Sequence, residues 1–231
     1  MNSRYLFTGL IIIFILATGV FFLKKKMPPS NLKPSTVLSA GEKIKGPAEA
    51  PVEIIEYSDF QCPACRDAQP VLTKLLAEYP EKIRIVFHHF PLPSHRWAAM
   101  AHQAAECAHE QGKFWEYHDV LYQNQSSWSK LMNPAETFLR DAGEMGLQLD
   151  DFVQCLSSEK VKRRILEEKA VGQKLQVSST PTLFINGERL VGPIELQAKG
   201  PLILKKFLGM EASEAPPSQT VNAQNPPEWN P

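Results

Sequence analysis

The chain has 231 residues, 43% of them hydrophobic, which suits one well-cored domain with extensions and excludes two large ones. Its 25 bases and 25 acids cancel, but Arg4, Lys24, Lys25 and Lys26 lie in the first 30 residues without an acid, leaving 21 bases against 25 acids in the rest. That mildly acidic remainder gives no electrostatic footing for nucleic acid.

Tyr5 to Leu23 is a run of 19 uncharged residues, roughly 28 Å as a helix and so about a bilayer core. We read residues 1–26 as an uncleaved membrane anchor rather than a signal peptide, because the apolar run is long and Lys24 to Pro29 offers no small-residue cleavage site. The three lysines after the span favour a cytoplasmic domain by the positive-inside rule. Four cysteines in an even count favour an oxidising compartment instead, and the expectation adopted is an outward-facing domain. Residues 27–40 mix proline with small polar residues as a linker, residues 41–209 form the folded domain, and residues 210–231, proline-rich and nearly free of aliphatics, form a disordered tail.

Within the domain, Val52–Tyr57 follows Pro51 and is rich in β-formers, and Ile83–Phe87 has the same character. Between them Cys65, Ala68, Leu72, Leu75, Leu76 and Tyr79 recur at helical spacing from Pro63 until Pro80 stops the run. Strand, helix, strand at this length is a βαβ unit with parallel strands. Residues 94–176 are expected to be helical, with Trp97, Met100, Ala104 and Cys107 on one face, then Phe114, Tyr117 and Leu121, then Phe152, Cys155 and Leu156. Strand character returns at Leu183–Ile185, turns at Asn186-Gly187 and continues through Glu188–Val191, a strong hairpin signal. A last helix is expected from about Pro201 to Gly209, packing Leu202, Leu204 and Phe207 on the sheet.

Cys62-Pro63-Ala64-Cys65 falls where the first strand runs into its helix, with Pro63 suited to the first helical position. Unpaired N–H groups and the positive dipole end there favour a thiolate, so Cys62 is expected to attack and Cys65, one turn in on the apolar face, to resolve. Two plainer readings stand beside this one, a structural zinc site and a pair of inert cysteines. Zinc usually needs four ligands, and the sequence has no second Cys-x-x-Cys. The six histidines do not assemble a metal site by spacing: His88 and His89 point to opposite strand faces, and His102 and His109 stand two turns apart. They are expected to be surface or satisfied polar residues, with no metal and no cofactor.

Glu56 to Cys65 (EYSDFQCPAC), Gln111 to His118 (QGKFWEYH) and Thr180 to Gly187 (TPTLFING) together resemble the DsbA-like thiol–disulfide oxidoreductases, in particular their membrane-anchored, BdbD-like branch. The resemblance covers about residues 37–209. It implies an α/β, thioredoxin-like fold with a helical insertion between the βαβ half and the cis-proline ββα half. It further implies that Pro181 is cis and faces the redox pair, and that Pro63, Ala64, Thr180 and Pro181 meet an extended substrate segment. Glu56, otherwise an exposed edge-strand residue by its pattern, becomes a buried acid beneath Cys65 that exchanges its proton. Cys107 and Cys155 become a second disulfide inside the helical insertion.

The implied partners are proteins carrying thiols or disulfides, together with a membrane redox partner, either a quinone-linked reoxidant or an electron donor. Net oxidation of folding extracytoplasmic proteins is the preferred direction, although Ala64 stands where strongly oxidising relatives carry His. A tethered reductase or isomerase is the alternative, and a non-catalytic peptide-binding or chaperone module the alternative of another class. In the last case Cys62→Ser would leave activity intact.

Overall fold

The computed structural model describes residues 43–210, so the expected membrane anchor (1–26), the expected linker (27–40) and the expected tail beyond Met210 lie outside the described residues. Thirteen elements follow in chain order: β1 (Lys43–Lys45), β2 (Val52–Ser58), α1 (Pro63–Glu78), β3 (Ile83–His89), α2 (Ala98–Glu110), α3 (Phe114–Gln123), α4 (Gln125–Trp128), α5 (Ala135–Glu144), α6 (Leu149–Leu156), α7 (Glu159–Lys174), β4 (Thr182–Ile185), β5 (Glu188–Val191) and α8 (Gly192–Phe207). Among them no helix is long and apolar enough to cross a membrane.

The strands form one sheet in the order β1-β3-β2-β4-β5, with β2 and β3 parallel and the other pairings antiparallel. Register and the two-residue period of a strand decide which side chain faces where. Ile54 pairs with Ile85 and Ile185, and this row meets Ala68, Leu72 and Leu75 of α1 and Leu196 and Leu204 of α8. Ile55 pairs with Val86 and Phe184, and that row faces the opposite way, toward Tyr57, Phe90 and Val177. Val52, Ile54, Glu56 and Ser58 therefore share one face. Glu56 is fully buried in a central strand and is not an exposed edge residue.

On the other face α7 comes close enough that only glycine fits at position 172. A Cβ there would meet the Tyr57 ring at 2.8 Å and Phe90 at 2.9 Å. Alanine usually gains about 1 kcal/mol over glycine inside a helix, but displacing two packed rings costs about 1–3 kcal/mol. Gly172→Ala should therefore lower the urea unfolding free energy, and a gain in stability would disprove the close packing.

The helical insertion has its own core, built on Phe60, Phe87, Phe114, Tyr117, Leu121, Trp128, Phe138 and Phe152. Cys107 of α2 and Cys155 of α6 are bonded across it, 48 residues apart in sequence. Closing a loop of that length stabilises by about 4 kcal/mol in the chain-entropy model. The paired variant Cys107→Ala/Cys155→Ala should lose roughly that amount in urea unfolding; an unchanged midpoint would show that the bond constrains nothing the fold leaves free.

Two elements depart from the sequence expectation. β1 has no counterpart in the sequence pattern, because three residues with two lysines carry no strand signal. It is held by pairing with β3 and by Trp115 Nε1–H donating to the Ile44 carbonyl, 2.8 Å. The last helix starts at Gly192, not near Pro201, and Pro201 lies inside it. Pro193 occupies its first turn and is the initiating proline, whereas Pro201 costs one backbone hydrogen bond in mid-helix. Of the three residues expected to pack, Leu204 is buried while Leu202 is 64% and Phe207 37% exposed, because the buried stripe is Leu196, Gly200 and Leu204.

Candidate active site

Cys62 caps the N-terminus of α1 with an extended backbone, and Pro63 takes the first turn, as the missing proline N–H permits. The loop before it is pinned from three sides. Asp59 accepts backbone N–H groups from Gln61 and Leu92, both at 2.7 Å, and meets His95 Nδ1 at 2.8 Å. Gln61 Oε1 accepts the Trp97 N–H, and the buried amide of Gln125 donates to the carbonyls of Phe60 and Cys62 at 2.8 and 2.9 Å. Cys62 is therefore held at the helix end by β2, the loop after β3 and α4.

Both active thiols are free, and their surroundings differ. Cys62 is 7% exposed, with Sγ 3.3 Å from the Thr180 carbonyl. A hydrogen bond from Cys65 lowers its pKa most; burial opposes this, and Thr180 and the backbone N–H groups of Cys65 and Ala64 add to the lowering, so the thiol comes down to about 6. Thr180 Oγ1 is buried without a hydrogen-bond partner. Cys65 is completely buried, and burial, then the bond it gives Cys62, pushes its thiol well above the ordinary value. The Thr180–Pro181 bond is cis, and Gly192 N–H donates to the Pro181 carbonyl, tying the loop before β4 to the start of α8. Pro63 is exposed and Ala64 partly so, beside Cys62 on the approach to the site.

Beneath Cys65 lies a buried polar group. Glu56 Oε1 accepts the Ser58 hydroxyl at 2.7 Å and the Gln69 amide at 3.0 Å, and Ser58 Oγ stands 2.9 Å from Tyr122 OH. Burial raises the Glu56 pKa, and His118, Ser58 and Gln69 only partly offset it. Ser58 also works against the rise of the Cys65 pKa, so the hydroxyl that bonds the carboxyl acts on the sulfur as well. Asp59, Gln61, Gln125, Ser58, Tyr122 and Gln69 were not singled out from sequence. Asp59 and Gln61 lie within three residues of Cys62, where the sequence alone places them near the thiols, whereas Tyr122 and Gln125 arrive from about 60 residues further along the chain.

Four of the six histidines are buried, while His95 and His109 are partly exposed. His89 and His102 are fully buried with their Nδ1 atoms 2.6 Å apart, and His88 and His118 are nearly buried. Folding also brings His89, Glu106 and Glu168 within reach of one metal ion. Lys43 pairs with both carboxylates and Arg164 with Glu106, so cations of the chain already fill that role. Among the described residues Cys62 and Cys65 belong to no such cluster.

The thioredoxin family model matches residues 39–203. The chain belongs to the thioredoxin family. In solved structures it is similar to Wolbachia pipientis alpha-DsbA1, with a TM-score of 0.67 and 22% identity over 77% of this chain and 96% of that one. It is also similar to BdbD from Bacillus subtilis, with a TM-score of 0.65 and 18% identity over 73% and 94%. These likenesses give a DsbA-like fold. In sequence it is 40% identical over 167 residues to the Na(+)/H(+) antiporter NhaA 3 of Salinispora tropica, covering 72% of this chain and 25% of that protein. The chain spans about a quarter of the length of the curated relatives it matches.

Proposed function

We propose that this protein exchanges disulfides with protein substrates through Cys62 and Cys65, as a net oxidant of folding extracytoplasmic proteins, tethered by residues 5–23. The asymmetry of the two thiols carries the reading: one held low at a helix N-terminus, the other buried and high above a carboxyl. In the oxidising direction a substrate thiolate attacks Cys62 Sγ of the Cys62–Cys65 disulfide. That S–S bond breaks, and Cys65 leaves with the electron pair and takes a proton from Glu56. A second substrate thiolate then attacks the substrate sulfur of the mixed disulfide, forming the product disulfide and releasing Cys62 as its stabilised thiolate. The two electrons gained pass to a quinone-linked membrane partner. The Cys107–Cys155 bond supports an oxidising compartment.

The second reading, a tethered reductase or isomerase, is supported by a Cys62 pKa of about 6, well above the ~3.5 of a strong oxidant such as DsbA. The antiporter likeness adds no ion-transport reading, because the site assembled here is a dithiol. Reduced, unfolded ribonuclease offered to the oxidised full chain should regain its disulfides, and Cys62→Ser should abolish this. Unchanged activity in Cys62→Ser would transfer the reading to a peptide-binding module.

A further inference from the structure

We propose that His118 carries the proton between Glu56 and solvent, completing a path from Cys65 through Ser58 and Glu56 to Asp119 at the surface. The inference rests on the exchange reading above and deepens it. Resolution takes a proton off Cys65, and Glu56, which burial holds toward its protonated form, can accept that proton only after giving up its own.

Glu56 Oε1 is occupied by Ser58 and Gln69, whereas Glu56 Oε2 is buried without a partner. His118 Nε2 is likewise buried without a partner, on a side chain only 2% exposed, and the two groups interact electrostatically. No direct hydrogen bond joins the two atoms, and one bridging water would satisfy both. The other ring nitrogen fixes the tautomer: His118 Nδ1 lies 2.7 Å from Asp119 Oδ1, and a carboxylate accepts, so Nδ1 carries the hydrogen. Nε2 then presents its lone pair to the protonated Glu56. Transfer gives a carboxylate facing an imidazolium, and Nδ1–H passes the proton to Asp119, whose side chain is 47% exposed. In the opposite direction the same steps deliver a proton to Cys65.

The ring is walled by Phe60, Phe87, Trp115 and Tyr122, with centroids 4.9–5.7 Å away, which keeps bulk water off Glu56 on this side. The titratable and charged groups that face it are Glu56 from β2, Asp119 and Tyr122 from α3, and Lys45 of β1 through Asp119 at 3.4 Å. From β3 it meets Phe87. His118 touches neither sulfur and is a positioning residue that acts through Glu56.

The test is His118→Gln in the full chain, which keeps a polar side chain beside Asp119 but cannot shuttle a proton. Single-turnover resolution of the Cys62 mixed disulfide should slow by about tenfold or more. The redox potential and the Cys62 alkylation rate should stay at wild-type values, because Cys65, Thr180 and backbone groups set them. Asp119→Asn, half exposed and safe for folding, should show the same selective slowing in smaller measure. Wild-type resolution rates in both variants would overturn the path. So would a slowing accompanied by a matching change in potential or alkylation, which would mark a structural role. Absence of exchange in the wild type would instead overturn the function reading itself.

Discussion

Alkylation of the reduced protein with iodoacetamide should follow a single titration with its midpoint near pH 6, and the label should sit on Cys62. At pH 7 a thiol of that pKa is about nine-tenths thiolate, against about 3% for an ordinary cysteine, so Cys62 should react roughly thirtyfold faster before the lower nucleophilicity of the stabler thiolate is counted. Cys65 should resist, because burial holds its thiol high and leaves no access. The same stabilisation sets the potential, since a stabler thiolate favours the reduced form. Thioredoxin, with a thiol pKa near 7 and a potential of about −270 mV, and DsbA, near 3.5 and about −120 mV, bracket this chain. The Cys62–Cys65 pair should therefore lie between about −270 and −120 mV, nearer the thioredoxin end. A glutathione equilibrium in that range leaves the direction of flow to the recycling partner. An alkylation midpoint above pH 8 would remove the asymmetry on which the exchange reading stands.

The parts legible in the sequence were those written within a few residues. The βαβ unit shows in the switch from two-residue to 3.6-residue periodicity, the β4–β5 hairpin in Asn186-Gly187, where both residues have positive φ, and the dithiol in its place at the head of α1. What stayed hidden depends on contacts distant in sequence. Glu56 gives a strand-edge pattern until register puts it opposite Phe87 and Leu183 in mid-sheet. His118 lies on α3 beside an acid, an arrangement common on solvated helix faces, and only tertiary packing turns its other nitrogen inward. Pro201 misled because a proline signals a helix start by local rule, while Pro193 eight residues earlier carried the same signal with Gly192 before it. Lys43 and Lys45 gave no strand signal at all, although burial of Lys43 is among the strongest structural demands in the domain.

Lys43→Met should cost about 3–5 kcal/mol of stability at neutral pH, because it leaves a buried carboxylate pair short of its cation. Lys43 is 3% exposed and bonds both Glu106, at 3.3 Å, and Glu168. Burial alone would raise both carboxyls. His89, Lys43 and Arg164 outweigh it at Glu106, Lys43, His89 and His88 outweigh it at Glu168, and both are held well below the ordinary range. Carboxyls with depressed folded pKa values contribute stability that is present above their unfolded value, about 4.3, and is lost as pH falls toward the folded ones. Removing Lys43 raises those folded values, so the variant gains less from rising pH and its deficit should be largest near pH 8 and narrow toward pH 4. One compensation limits the loss. Burial, and after it the charge of Lys43, holds the His89 pKa down, so without the lysine His89 can take a proton and replace part of the missing charge. Urea unfolding of both proteins from pH 4 to 8 reads the difference directly. A deficit that is flat with pH would mean that the methionine's packing, and not the stranded carboxylates, sets the cost.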